Sequence, residues 1–160
     1  MNVESLSKRF SVRALTPDDV ESVYAVSCGN PTFYQYHPPF VTRQSILDDM
    51  SALPPGKTMA DKYYVGFFED GALVAVMDLI LGFPSERVAF IGLFMMNARW
   101  QGKGVGSEII GEAAASLKAC GFERIRLGVD PANPQSNAFW RKNQFLPVEE
   151  GKYIVMERRI

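Results

Sequence analysis

The chain has 160 residues, 47% of them hydrophobic and 22% charged, with 17 Lys plus Arg against 18 Asp plus Glu. That length suits a single domain over residues 1–160 that buries about two-thirds of its unfolded surface without metal or disulfide support, and the near-zero net charge argues against a nucleic-acid partner. The one histidine, His37, and the two cysteines, Cys28 and Cys120, stand at no zinc-ligand spacing, which argues against a metal site.

In chain order, Phe10 to Leu15 alternates apolar and polar residues and predicts a strand. The opening Met1-Asn2-Val3-Glu4 lacks the basic start and apolar run of a secretory signal. Thr16-Pro17-Asp18-Asp19 starts a helix, with Thr16 as cap, Pro17 at the first helical position and acids in the first turn. Asn30-Pro31 ends it. The stretch to Pro38-Pro39 reads as an aromatic-rich loop, and a second helix is expected from about Thr42 to Leu53. Two strands follow, Tyr63 to Phe68 and Leu73 to Leu81, joined by Glu69-Asp70-Gly71-Ala72, where Asp-Gly signals a hairpin. Val88 to Met96 is a further strand after the break at Gly82-Phe83-Pro84. Asp78, Glu86 and Arg87 interrupt the longest apolar region short of a membrane span, so a cytoplasmic protein with reduced thiols and no membrane partner is expected. A helix from Gly104 to Ala119 places Val105, Ile109, Ala113 and Leu117 on one face and stops at Gly121. Arg124 to Val129 is a strand, Pro134 to Lys142 a short helix, and Phe145 to Val148 with Tyr153 to Glu157 a final hairpin. The order β-α-α-β-β-β-α-β-α-β-β suggests an α/β protein built around one mixed sheet.

The segment Gln101-Gly102-Lys103-Gly104-Val105-Gly106-Ser107 follows a buried strand and opens an amphipathic helix. Glycines let the backbone approach a ligand, and the free N–H groups and dipole of the first turn attract an anion, so this is a diphosphate site in outline. A Walker loop would need Ser or Thr after Lys103, where Gly104 stands. A dinucleotide fold would need glycine where Ser107 sits, and an early alternation of strands and helices. Taken alone, the hexapeptide is also compatible with a tight structural turn.

Gln101, Gly104 and Gly106 match the Gln/Arg-x-x-Gly-x-Gly/Ala signature, and the chain resembles the GNAT (GCN5-related N-acetyltransferase) superfamily over nearly its whole length. The family's second motif, Asn-x-x-Ala-x-x-x-Tyr-x-x-x-Gly-Phe, is met by Asn133 and Phe145, with Ser136, Trp140 and Gln144 as departures. The resemblance implies a GNAT-like fold, a mixed seven-stranded sheet flanked by about four helices. It further implies transfer of an acetyl group from acetyl-CoA to an amine of a small molecule or amino-acid-like acceptor. A homodimer is left open.

By that resemblance, the backbone from Gln101, Gly102, Lys103, Gly104, Val105 and Gly106 to Ser107 holds the pyrophosphate. Phe94, Met95 and Met96 flank the pantetheine arm, Asn133 bonds it, and the Met96 N–H meets the thioester oxygen. Such a donor is worth about 3 kcal/mol. Trp140 takes the place of the tyrosine that assists the departing sulfur. An indole donates a hydrogen bond but does not give up its proton; because a thiol ionises near pH 8.5, that substitution weakens such an enzyme rather than abolishing it. Tyr34, Tyr36 and Tyr153 are the substitutes on offer.

An amine also needs a proton acceptor. Asp78 is the one acid in an otherwise apolar strand, and burial would raise its pKa; the plainer reading is a pair with a neighbouring arginine or a loop cap. His37 is the other candidate. The resemblance puts the acceptor pocket at Asn30 to Phe40, with Tyr34, Tyr36 and His37 as walls that stack on an amine or fill the core. A noncatalytic acyl-CoA sensor and a protein or peptide N-acetyltransferase are the alternatives.

Overall fold

A computed structural model describes residues 1–160. Strand β1 (Ser11–Ala14) leads through Thr16 and Pro17 into helix α1 (Val20–Cys28). Asp19 accepts the Thr16 N–H at 2.9 Å and a two-pronged pair from Arg13, which holds its pKa down at about 2. The aromatic stretch is not a plain loop: α2 (Pro31–Tyr36) runs through it. Proline needs no N–H partner in a first helical turn, so the Asn30-Pro31 step that ends α1 also begins α2. Helix α3 (Arg43–Ser51) starts at Thr42, whose hydroxyl oxygen accepts the Ser45 N–H at 3.0 Å.

Strands β2 (Lys62–Glu69) and β3 (Ala72–Leu81) form the expected hairpin, with Asp70 at φ 50° and Gly71 at φ 80° in the tight turn. Then come β4 (Val88–Met96), α4 (Val105–Ala119), β5 (Arg124–Val129), α5 (Pro134–Lys142), β6 (Leu146–Glu150) and β7 (Ile154–Arg159). The last hairpin starts later than the pattern suggested. Phe145 closes α5 instead, its N–H donating to the Trp140 carbonyl at 3.0 Å while Gln144 takes φ 68°. A non-glycine residue in that conformation costs about 1–2 kcal/mol. Complete burial of the Phe145 ring offsets it. No helix is long and apolar enough to cross a membrane.

The seven strands order as β1-β2-β3-β4-β5-β7-β6, with every pair antiparallel except β4–β5. Apolar layers cover both faces. On one side α4 and α5 bury Val105, Ile109, Ala113, Leu117 and Trp140 against Met77, Leu79 and Met156. On the other, α1 and α3 bury Val23 and Ile46 against Tyr64, Val76 and Met95. Five α-helices therefore flank the sheet, one more than expected, and the extra one is the short α2.

Two features of β4 position the site. Its parallel ladder with β5 covers only Val88–Ile91 against Arg124–Leu127, and past Ile91 the two strands separate. At the point of separation β4 carries a bulge: Leu79 faces Ile91 and Asp78 faces Leu93, leaving Gly92 without an opposite number.

Candidate active site

The separation of β4 from β5 opens a cleft in the sheet, and two cavities adjoin it. The first, about 300 Å³, has Gly102, Gly104, Gly106 and Ser107 on one wall and Asn133, Ser136 and Phe139 on the other. Phe94, Met95 and Met96 line it from β4. The second, about 270 Å³, is lined by Tyr36 and His37 of the α2 end, Leu93 of β4, Val129 of β5 and Tyr153 of the β6–β7 loop. Phe33, Phe94, Asn133, Ser136 and Trp140 belong to both linings, so the cavities meet at the mouth of the split.

The glycine turn presents unpaired backbone donors. No backbone or side-chain acceptor meets the N–H groups of Gly102 through Ser107. Gly102 and Gly104 take φ 72° and 80°, and a Cβ on either would meet no heavy atom within 4 Å, so the space before them is open. Gly106 is small for another reason: a Cβ there would lie 3.1 Å from the Phe139 ring, which packs on Phe94 across the first cavity. A row of free N–H groups at the positive end of a 15-residue helix favours an anion in front of it.

The side chains of this segment have separate duties. Gln101 Nε2 donates to Asn30 Oδ1 at 2.7 Å and to the Met96 carbonyl at 3.1 Å, and Asn30 Nδ2 donates to that carbonyl at 2.9 Å. Gln101 thus ties the turn to the end of β4 and to the α1–α2 junction. Asn30, which also lines the first cavity, is marked in the sequence only as the end of a helix and the start of the expected acceptor stretch. Lys103 donates to the Arg99 carbonyl at 2.9 Å and does not line the cavity, and Val105 is buried in the core. Asn133 is 4% exposed; its Oδ1 accepts the Ser136 N–H at 3.1 Å and starts α5.

Trp140 is 7% exposed and wedged between Phe94, Phe139 and Phe145, with ring centroids 5.0–6.0 Å away. Its indole N–H has no protein partner and is not fully buried, and the residue lines both cavities. Of the candidate tyrosines, Tyr36 and Tyr153 face the second cavity, where the Tyr153 ring lies 6.1 Å from that of His37. Tyr34 lines neither cavity; it packs between Phe33 and Phe40, and burial raises its hydroxyl pKa.

Asp78 pairs with a lysine rather than an arginine. Lys62 Nζ, in a side chain 1% exposed, donates to Asp78 Oδ1 at 2.7 Å. Burial pushes the Asp78 carboxyl up and Lys62 pulls it down, with burial the stronger. The carboxylate, on β3 opposite Leu93, lines neither cavity; a Cβ on Gly92 would come within 2.7 Å of Asp78 Oδ2. Asp49 of α3 also stands near this pair, its carboxyl raised by burial and by the Asp78 charge.

The model of the Acetyltransferase (GNAT) family matches residues 29–145. No curated protein matches the sequence. Among solved structures, an acetyltransferase from Thermus thermophilus superposes with a TM-score of 0.80 at 22% identity, covering 94% of this chain and 97% of its own. The paia N-acetyltransferase from Thermoplasma acidophilum, in complex with coenzyme A, gives 0.71 at 20% identity, with 94% and 99% covered. The ribosomal-protein-S18-alanine N-acetyltransferase from Escherichia coli gives 0.66 at 13%, with 94% of both chains covered. At these identities the structures share the fold with this chain.

Proposed function

Because the chain belongs to the GNAT acetyltransferase family, we propose that it transfers an acetyl group from acetyl-CoA to the amine of a small molecule. The observation that carries this reading is the row of unpartnered N–H groups from Gly102 to Ser107, facing a cavity that runs through the split between β4 and β5. A pyrophosphate fits those donors. The half-apolar passage past Phe94, Met96 and Phe139 fits a pantetheine arm, and the second cavity stands ready for an acceptor. Acetyl-CoA, when bound, supplies an acyl group already activated as a thioester.

The chain's own residues then have three tasks. The β4 segment from Phe94 to Met96, free of β5, offers backbone groups along the passage, with the Met96 N–H as donor to the acyl oxygen. The Trp140 indole N–H gives a hydrogen bond to sulfur where a tyrosine would give a proton. An amine arriving as ammonium must shed a proton; His37 faces the second cavity and is the direct acceptor, whereas Asp78 acts only through water behind Gly92.

Titration of the protein with acetyl-CoA, followed by thiol release over a panel of amines, tests this. Saturable binding with acceptor-dependent release is expected. Binding without release for any amine would instead make the protein an acyl-CoA sensor, and no binding would remove the reading altogether. Trp140→Tyr is expected to raise turnover where departure of the sulfur limits the rate.

A further inference from the structure

Resting on that reading, we infer that the acceptor is a small primary amine with an apolar, preferably aromatic body and no carboxylate. The second cavity carries the argument. Its volume of about 270 Å³ lies just below the ~300–1,000 Å³ of ordinary small-molecule sites, so it takes a compact ligand. Aromatic rings supply much of its wall, namely Phe33, Tyr36, Phe90, Phe94, Trp140 and Tyr153. Flat rings of that kind pack well on another ring, and their faces attract an ammonium.

Charge decides the rest. No lysine or arginine lines this cavity, and Asp130 is its only acid. His37, in the form that accepts a proton from the amine, carries no charge. One Asp130 oxygen is held by the Ala132 N–H at 2.9 Å. Asp78 Oδ2 lies 2.7 Å from where a Cβ on Gly92 would stand, Asp49 is near it, and Lys62 beside them is already spent on Asp78. Lys152, in the adjoining loop, sits 5.5 Å from the Tyr153 ring centroid and does not line the cavity. A carboxylate on the acceptor would therefore lose its water, gain no cationic partner and face acids. An ammonium meets the opposite field. The amino-acid-like acceptor suggested by the family resemblance fits this wall poorly, and a polyamine brings no flat body to pack on its rings.

The test compares phenethylamine with L-phenylalanine, which differ only by the carboxylate, using calorimetry on protein saturated with coenzyme A so that no turnover intrudes. Phenethylamine is expected to bind about 30-fold or more tightly, the scale of an unpaired carboxylate placed in a largely apolar site. Tyr36→Arg, a half-buried wall position, should narrow that gap by placing a guanidinium in the cavity. Tyr153→Ala should weaken phenethylamine without reversing the preference. Equal binding, tighter phenylalanine, tighter spermidine, tighter binding of an alanyl peptide amide, or no binding of any of them would overturn the inference. Selective binding of phenethylamine with no acetyl transfer would instead remove the proposed function and leave the cavity's preference standing. Transfer to an acid-bearing amine would do the reverse.

Discussion

Lys62 and Asp78 illustrate how one residue serves structure and invites a functional reading at once. Lys62 is buried and Asp78 is half-buried, they meet at 2.7 Å, and each makes the other's desolvation tolerable. Lys62→Met leaves the Asp78 carboxylate without the cation that answers it, so a loss of about 3–5 kcal/mol in stability is expected at neutral pH by chemical denaturation, shrinking as the carboxyl is protonated in acid. The pair-replacing variant Lys62→Met/Asp78→Leu should recover most of it, because neither side chain then needs a partner. Burial holds the Asp78 carboxyl above its unfolded pKa, so its neutral form contributes stability at low pH that fades as pH rises through the folded value. The double variant should lack that fading. It also separates roles: a folded double variant with undiminished acetyl transfer would show that Asp78 takes no proton from the acceptor.

At the scale of the element, the turn into α4 is the part whose backbone matters more than its side chains. Gly104 has φ 80° and nothing within 4 Å of a Cβ, so a substitution there meets no protein atom. The cost to the fold is backbone strain alone, about 1–2 kcal/mol. Gly104→Asp should therefore lower the melting temperature by only a few degrees while reducing acetyl-CoA affinity at least ~10-fold, since a carboxylate would stand where phosphate is to sit. Gly104→Ala, scanned alongside it, carries the same strain without the charge. Matching affinities for the two variants would mean that no anion approaches this turn. The α5 terminus gives the counterpart, since Gln144 holds a left-handed conformation that glycine would hold more cheaply.

Across the whole molecule, the sheet is joined at its middle by a short ladder, Val88–Ile91 on Arg124–Leu127, and it opens beyond. A ligand lodged in that opening would touch β4, α4 and α5 together and stabilise the folded state through binding alone. At acetyl-CoA one hundred times its dissociation constant, linkage gives about 2.7 kcal/mol. For a chain of this size that corresponds to a rise of roughly 5–10 °C in melting temperature, measurable by scanning calorimetry. No shift at saturating ligand would mean that the split holds no such molecule.

The periodic parts of the sequence carried their structure openly. The Val105, Ile109, Ala113, Leu117 stripe, the Asp70-Gly71 hairpin and the seven strands follow from local chemistry that each segment contains within itself. Glycines and an amphipathic helix in sequence likewise announced the row of free N–H groups, because its donors are all consecutive. What required the folded chain was everything made between distant segments. The Asn30–Gln101–Met96 lock spans 71 residues between its two side chains, and the partner of Asp78 is 16 residues away on a neighbouring strand. The aromatic stretch became a helix because Pro31 could begin one, and its rings found places only once β4, β5 and the β6–β7 loop surrounded them. Local propensity is set by neighbours in the chain. The second cavity is set by neighbours in space, and those were decided by the divergence of two strands at Gly92.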